Sequence, residues 1–351
     1  MTSQERFARM YAHQEADRVP FMDSPWDTTV ARWRREGMPT DDYTAYFDLD
    51  RIGGIGIDYS PRYPVEILEE TDKYTIHTTG WGATLKTWKH LTSTPEFLDF
   101  RIKDRESWEE AKARMKPDPT RVDWDYLKKN YPLWRKEGRW VVGSFWFGFD
   151  VAHSWAVGTT RLLMAMVEDP EWVKDIFQTY LDLNMAMMQQ VLDAGYKPDE
   201  INWPDDMGYK NTQFFSLKMY RDLVKPVQKQ AVDWIHERGM KARLHSCGLV
   251  DKFVPEFVDI GIDALNPLEV KAGMNPRALK AAYGDKLVFH GGINAVLWDK
   301  PQEIEAEMEQ VLPVMKENGG YIFASDHSIP DSVSLADFTH IVETYKRLGK
   351  Y

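Results

Sequence analysis

This 351-residue sequence predicts an α/β fold, a (β/α)8 barrel with an insertion in its N-terminal half. Three observations lead there. From about residue 140 onward, short apolar or β-branched runs alternate with helical patterns, the rhythm of βα units on a parallel sheet. Two earlier runs raise the strands to eight, the number that closes such a barrel. The alternative is an open doubly wound sheet, and no Gly-x-Gly-x-x-Gly follows any run to support it.

The elements follow in order. The first two strands are expected at residues 19–22 and 54–59. Residues 60–138 break the rhythm. Thr/Tyr/Ile/Trp alternation over 69–88, around Thr79-Gly80-Trp81-Gly82, predicts a hairpin, and 106–131 has helical character, so this stretch is expected to decorate the barrel. The other six strands are expected at 141–147, 200–203, 241–245, 263–266, 287–290 and 321–324. Helices are expected at 160–195, 216–239 (broken or kinked at Pro226), 276–283, 301–317 and 334–348. Two of these open on Pro, and the last on a Ser cap. No repeat, low-complexity tract or Gly/Ser linker divides the chain, so a single domain is expected.

Composition narrows the function classes. With 43% hydrophobic and 28% charged residues the chain builds a core and is not disordered. A net charge of −11 argues against nucleic acid or a polybasic membrane contact. No apolar run approaches bilayer length, and the polar start, Met1 to Pro20, predicts no secretory signal. The lone Cys247 excludes internal disulfides and an all-thiolate metal site, and fits a reducing, cytoplasmic setting.

In a barrel the reactive side chains stand at strand C-terminal ends. Of nine histidines, His245, His290 and His327 fall at or just past such ends, whereas His153 lies several residues beyond its strand. Leu244-His245-Ser246-Cys247-Gly248 is the strongest local signal. An alternating His-x-Cys puts both side chains on one side of the backbone, where they can share a metal ion; the competing reading is a small buried thiol beside a core histidine. Asp23, Asp205, Asp206, Glu269 and Asp326 also follow predicted strands. Asp205 and Asp206 suit acid–base work or a helix cap, and Asp326 a role in fixing a histidine tautomer. Trp26, Trp146, Trp155 and Trp203 lie near strand ends, as a cation–π cage for a methylammonium group or as packing. Trp26, Trp146, Trp203, Asn266 and His290 are the expected substrate-lining residues.

His245-Ser246-Cys247-Gly248, Gly261-Ile262-Asp263-Ala264-Leu265-Asn266-Pro267-Leu268 and Tyr283-Gly284-Asp285-Lys286-Leu287 with Gly291-Gly292-Ile293 resemble the uroporphyrinogen decarboxylase superfamily. Asp17-Arg18-Val19-Pro20 and 321–330 fit the same pattern in order, leaving 60–138 as the poorest match. The resemblance implies a (β/α)8 barrel and one of two chemistries. The metal-free decarboxylase grips its many carboxylates with N-terminal arginines. Here that region reads Phe21-Met22-Asp23-Ser24-Pro25-Trp26, and Ser154 stands where the decarboxylase carries a tyrosine, although His327 matches its late histidine.

The zinc-dependent methyltransferases of the superfamily use His-x-Cys, a late Cys and a Glu. His245 and Cys247 match the pair, Glu269 has the spacing of the Glu, and His327 replaces the missing Cys. The resemblance thus implies one Zn²⁺ per chain on His245, Cys247, Glu269 and His327, with Asp23, Asp205, Asp206 and Asp326 as acid–base or orienting groups. It also implies a small-molecule substrate and a homodimer. No Asp-x-His-x-x-Gly occurs, so any corrinoid would be carried by a separate partner protein. A metal-free decarboxylase or lyase using Asp23, Asp205 or Asp206 with His327 is the alternative, and a non-catalytic binding barrel a third reading.

Overall fold

The computed structural model describes residues 1–90 and 94–351. Its strands are β1 (Ile52–Ile55), β2 (Ile67–Glu70), β3 (Tyr74–Thr78), β4 (Ala83–Trp88), β5 (Glu96–Phe100), β6 (Trp140–Ser144), β7 (Glu200–Pro204), β8 (Lys241–His245), β9 (Ala264–Asn266), β10 (Val288–His290) and β11 (Tyr321–Ile322). Seven of them form one parallel sheet in the order β1-β6-β7-β8-β9-β10-β11. From β6 onward each is followed by helix, as the alternating pattern predicts. The other four make a separate antiparallel sheet, which extends the expected hairpin by a strand on each side.

The expected first strand, 19–22, is reduced to a single parallel bridge between Phe21 and Phe323. Pro20 has no N–H to give to a ladder, so the segment is held by bonds on either side of that gap. Phe323 N–H donates to Pro20 O (2.8 Å), Met22 N–H to Phe323 O (3.1 Å) and Asp50 N–H to Phe21 O (3.3 Å). The second strand begins earlier than expected, at Ile52, because its ladder partner Trp140 opens β6 there.

Two expected helices divide where proline dictates. Pro170 separates Thr159–Glu168 from Pro170–Asp193, and the Asp169 carboxylate caps Trp172 N–H. Before Pro226 the chain widens into a π-helical turn, Tyr220–Val224, that runs into Lys225–Glu237. The long helix Pro170–Asp193 buries Val173, Ile176, Phe177, Tyr180, Leu181 and Met187 at helical spacing; each such side chain contributes about 1.5–3 kcal/mol. Ser334 caps Leu335–Leu348 in a capping box with Asp337.

The helix Ser3–Tyr11 packs against the N-terminal ends of the strands. Phe7 and Tyr11 stack on Trp140, ring centroids 5.6 and 5.4 Å apart. Inside the sheet, buried Arg243 pairs with buried Glu200 at 2.5 Å, and Tyr11 Oη (2.6 Å) and Trp140 Nε1 (2.9 Å) donate to the same carboxylate. With this end filled, chemistry falls to the opposite rim.

Candidate metal centre

β8 alternates its side chains: Arg243 and His245 project to one face, Ala242 and Leu244 to the other. The next residues turn sharply. Gly248 adopts φ +81, and a Cβ there would lie 2.3 Å from the Gly208 carbonyl carbon. This contact joins the loops after β7 and β8. Asp206 Oδ1 accepts Cys247 N–H (2.8 Å), Ser246 Oγ accepts Met207 N–H (3.1 Å), and Tyr209 O accepts Leu249 N–H (3.0 Å).

The result is one convergent group among the described residues: Asp206, His245 and Cys247 bring ligand atoms within 4.8 Å of one another. Cys247 Sγ lies 3.3 Å from His245 Nε2, and that nitrogen 3.8 Å from Asp206 Oδ1. His245 and Asp206 each leave 34% of the side chain in solvent, so an ion has a path in. Burial and the carboxylates of Asp206, Glu269 and Asp150 push the Cys247 thiol well above its ordinary range. Burial also raises Asp206, against the opposing pull of His245. A cation would reverse both shifts.

The other two expected ligands stand outside this group. Glu269 Oε2 accepts Gly248 N–H (2.6 Å), and its Oε1 lies 3.4 Å from Lys271 Nζ. His327 is exposed, edge-on to Trp26 at 6.5 Å. Asp206, expected as an acid–base group, takes the third position instead, because the Gly208–Gly248 contact draws its loop onto the His-x-Cys turn.

A match to the uroporphyrinogen decarboxylase (URO-D) family extends over residues 105–348, more than half of the chain. The chain belongs to the uroporphyrinogen decarboxylase family. Among solved structures, a methyltransferase from Methanosarcina mazei is similar to this family member, with a TM-score of 0.68 and 14% identity over 99% of each chain. At that identity the likeness speaks for the fold. No curated protein matches the chain.

The remaining expected residues of this URO-D chain are placed as follows. Asp205 is fully buried and accepts from Asp150 N–H (2.9 Å) and Gln228 Nε2 (2.8 Å); burial raises it to about 7. Asp23 accepts from Ser24 N–H (2.7 Å) and Ser325 N–H (2.6 Å), and burial raises it to about 6. Asp326, fully buried, accepts from Ala295 N–H (2.7 Å) and Val270 N–H (2.8 Å); it ties two rim loops together rather than orienting a histidine. Trp203 is fully buried against Phe147, and Trp146 packs between Trp81 and Trp155. His290 is buried with both ring nitrogens engaged: Nε2 donates to Met22 O (2.9 Å) and Nδ1 accepts from Arg243 (3.3 Å). Burial, with Arg243 beside it, lowers this imidazole to about 3. Asn266 bonds to His245.

Sequence reasoning missed Asp150 and His153. Asp150 Oδ1 accepts Ser154 Oγ–H (2.9 Å) and lies 3.3 Å from His153 Nε2, while its charge acts on both Asp206 and Cys247. A π-helical turn, Val151–Ala156, holds His153 stacked on Phe149. Such turns collect at functional sites, and the Gly148-Phe149-Asp150 run directly after the strand expected at 141–147 was the available signal. His153 and Ser154 also border a cavity of about 1000 Å³ that Phe97, Phe100 and Trp172 help to line.

Proposed function

We propose that this protein is a metal-dependent methyltransferase of the uroporphyrinogen decarboxylase family, with one Zn²⁺ per chain on His245, Cys247 and Asp206. In this reading the fold is a closed (β/α)8 barrel whose eighth staves are Val19 to Met22, and the methyl group comes from or goes to a corrinoid held by a separate protein. The observation that carries the proposal is the convergence of one nitrogen, one sulfur and one carboxylate oxygen within 4.8 Å at the C-terminal rim. That donor set suits zinc, and three protein ligands leave a coordination position for a substrate. The Methanosarcina methyltransferase of the same fold supports the assignment of chemistry.

When bound, zinc would act as a Lewis acid that lowers the pKa of a coordinated substrate group and holds it ready as a nucleophile. The chain's own residues prepare the place. Asp206 uses one oxygen to hold Cys247 N–H, so the loop and the donor set are fixed by the same side chain. Glu269 holds the next N–H, of Gly248, from the other side. Asp150, whose charge acts on Asp206 and Cys247, pairs with His153, and the pair can take the proton that a substrate loses on binding.

Elemental analysis of untagged protein tests this, wild type beside Cys247→Ala. About one zinc per chain, lost in the variant, is expected. Full activity in a metal-free Cys247→Ala protein would overturn the proposal and favour the metal-free lyase reading, in which Asp23, Asp205 or Asp206 handles protons with His327.

A further inference from the structure

His245 can serve a cation through Nε2 only if that nitrogen carries no proton, and an imidazole in water prefers the opposite tautomer. The nitrogen that carries the proton is set by the bond its partner makes. Here His245 Nδ1 lies 2.7 Å from Asn266 Oδ1. An amide can present either end, so the orientation of Asn266 decides the matter. Its other end settles it. Asn266 Nδ2 lies 3.3 Å from the His290 carbonyl, which only accepts, so the amide nitrogen must face His290 and the oxygen must face His245. The oxygen, in turn, can only accept, and the proton therefore sits on His245 Nδ1.

His290 is itself immobile. Its ring donates to Met22 O and accepts from Arg243, and Arg243 is held by Glu200, the common acceptor of Tyr11 and Trp140. A chain of fixed donors and acceptors thus runs from the filled end of the sheet through β10 and β9 to the histidine at the end of β8.

We propose that Asn266 is a positioning residue whose amide oxygen locks His245 in its Nδ1–H tautomer, leaving the Nε2 lone pair to face Cys247, Asp206 and a bound divalent cation. The role toward the cation rests on the proposed function above; the tautomer does not. Nothing in Asn266 touches substrate in this scheme, although the sequence suggests a substrate-lining role for it.

Two variants separate the lock from a merely structural part. Asn266→Ala removes both bonds. Asn266→Asp keeps an acceptor for Nδ1–H but loses the donor to His290 O. Metal-free protein labelled with ¹⁵N-histidine is examined by NMR at about pH 8, where an ordinary imidazole is neutral, with His245→Gln to assign the signal. The wild type should show a protonated Nδ1 and a bare Nε2. Asn266→Ala should shift the population toward Nε2–H, and Asn266→Asp should retain Nδ1–H. Zinc affinity, measured by competition with a chelating dye, should fall about 10–100-fold in Asn266→Ala, the usual loss when a ligand histidine loses its partner, and only a few-fold in Asn266→Asp.

A wild-type His245 protonated at Nε2 would overturn the proposal. So would Asn266→Asp behaving like Asn266→Ala in both measurements, since that pattern belongs to the lost bond between β9 and β10. If wild-type protein takes up no zinc at all, the proposed function falls while the NMR result still decides the tautomer.

Discussion

Replacing Gly248 by Ala tests whether the contact between the β7 and β8 loops assembles the proposed metal centre. The added methyl meets two costs. At φ +81 an L-residue is in the left-handed region, at about 1–2 kcal/mol. The Cβ would also lie 2.3 Å from the Gly208 carbonyl carbon and 2.6 Å from its oxygen, both backbone atoms that cannot rotate away. The loops must part, and the bonds Leu249 N–H to Tyr209 O and Cys247 N–H to Asp206 Oδ1 go with them, at roughly 1 kcal/mol each.

Gly195 provides the control. It has φ +88 and open space where its Cβ would be, so Gly195→Ala meets the backbone cost alone. The expected losses by urea denaturation are therefore about 1–2 kcal/mol for Gly195→Ala and about 3–4 kcal/mol for Gly248→Ala. Zinc affinity should stay unchanged in the first and fall at least about tenfold in the second, because Asp206 leaves the donor set. Equal destabilisation in the two variants, with zinc affinity intact in both, would refute the reasoning: the Gly208–Gly248 approach would then do nothing to place Asp206.

Other outcomes follow from the same geometry. Asp206→Asn should weaken zinc binding, by dye competition, far more than Glu269→Gln or His327→Ala, since only Asp206 lies with His245 and Cys247. Glu200→Gln leaves Arg243 buried without its counter-charge and should cost about 3–5 kcal/mol in urea denaturation, with zinc stoichiometry unaltered. His290 is lowered to about 3 against an ordinary value near 6.5, so the unfolded chain binds more protons between those values. Stability from this group is complete above about pH 6.5 and is lost as pH falls toward 3; a His290→Gln variant should show a flatter acid limb, and an unchanged limb would count against a buried neutral ring.

What the sequence revealed depended on how local the signal was. β8 was read to the residue because its alternation and the Gly after it are complete within eight positions. The helix Pro276–Tyr283 was equally plain from the Pro in its first turn, and in the structure Asn275 caps it. The strand expected at residues 19–22 has the right apolar character, but Pro20 leaves it one bridge, and no periodicity rule counts missing donors. The helix expected over 160–195 ran past Pro170 because apolar spacing continues on both sides of it. At the site, His245 and Cys247 share one short segment and were found together. Asp206 was recognised as a strand-end carboxylate but given another role, since its meeting with Cys247 depends on two glycines forty residues apart touching. His153 was set aside for its distance along the chain, which the wide turn at Val151–Ala156 undoes.

The electrostatics around Cys247 show why the placement of Asp206 matters more than the count of ligands. Asp206, Glu269 and Asp150 all act on the thiol in the same direction, and Lys271 opposes them. Without a cation this is a poor arrangement, because burial and three nearby negative charges all favour the protonated sulfur. A divalent cation would resolve it. One thiolate and one carboxylate neutralise Zn²⁺ with His245 uncharged, and the further negative groups then favour the ion's capture instead of opposing each other. Two of those carboxylates already hold N–H groups of the turn, Asp206 that of Cys247 and Glu269 that of Gly248. The turn is thus shaped by the same charges that would attract the ion, so removing either acid should disturb loop and affinity together, whereas Cys247→Ala should remove the affinity and leave the loop in place.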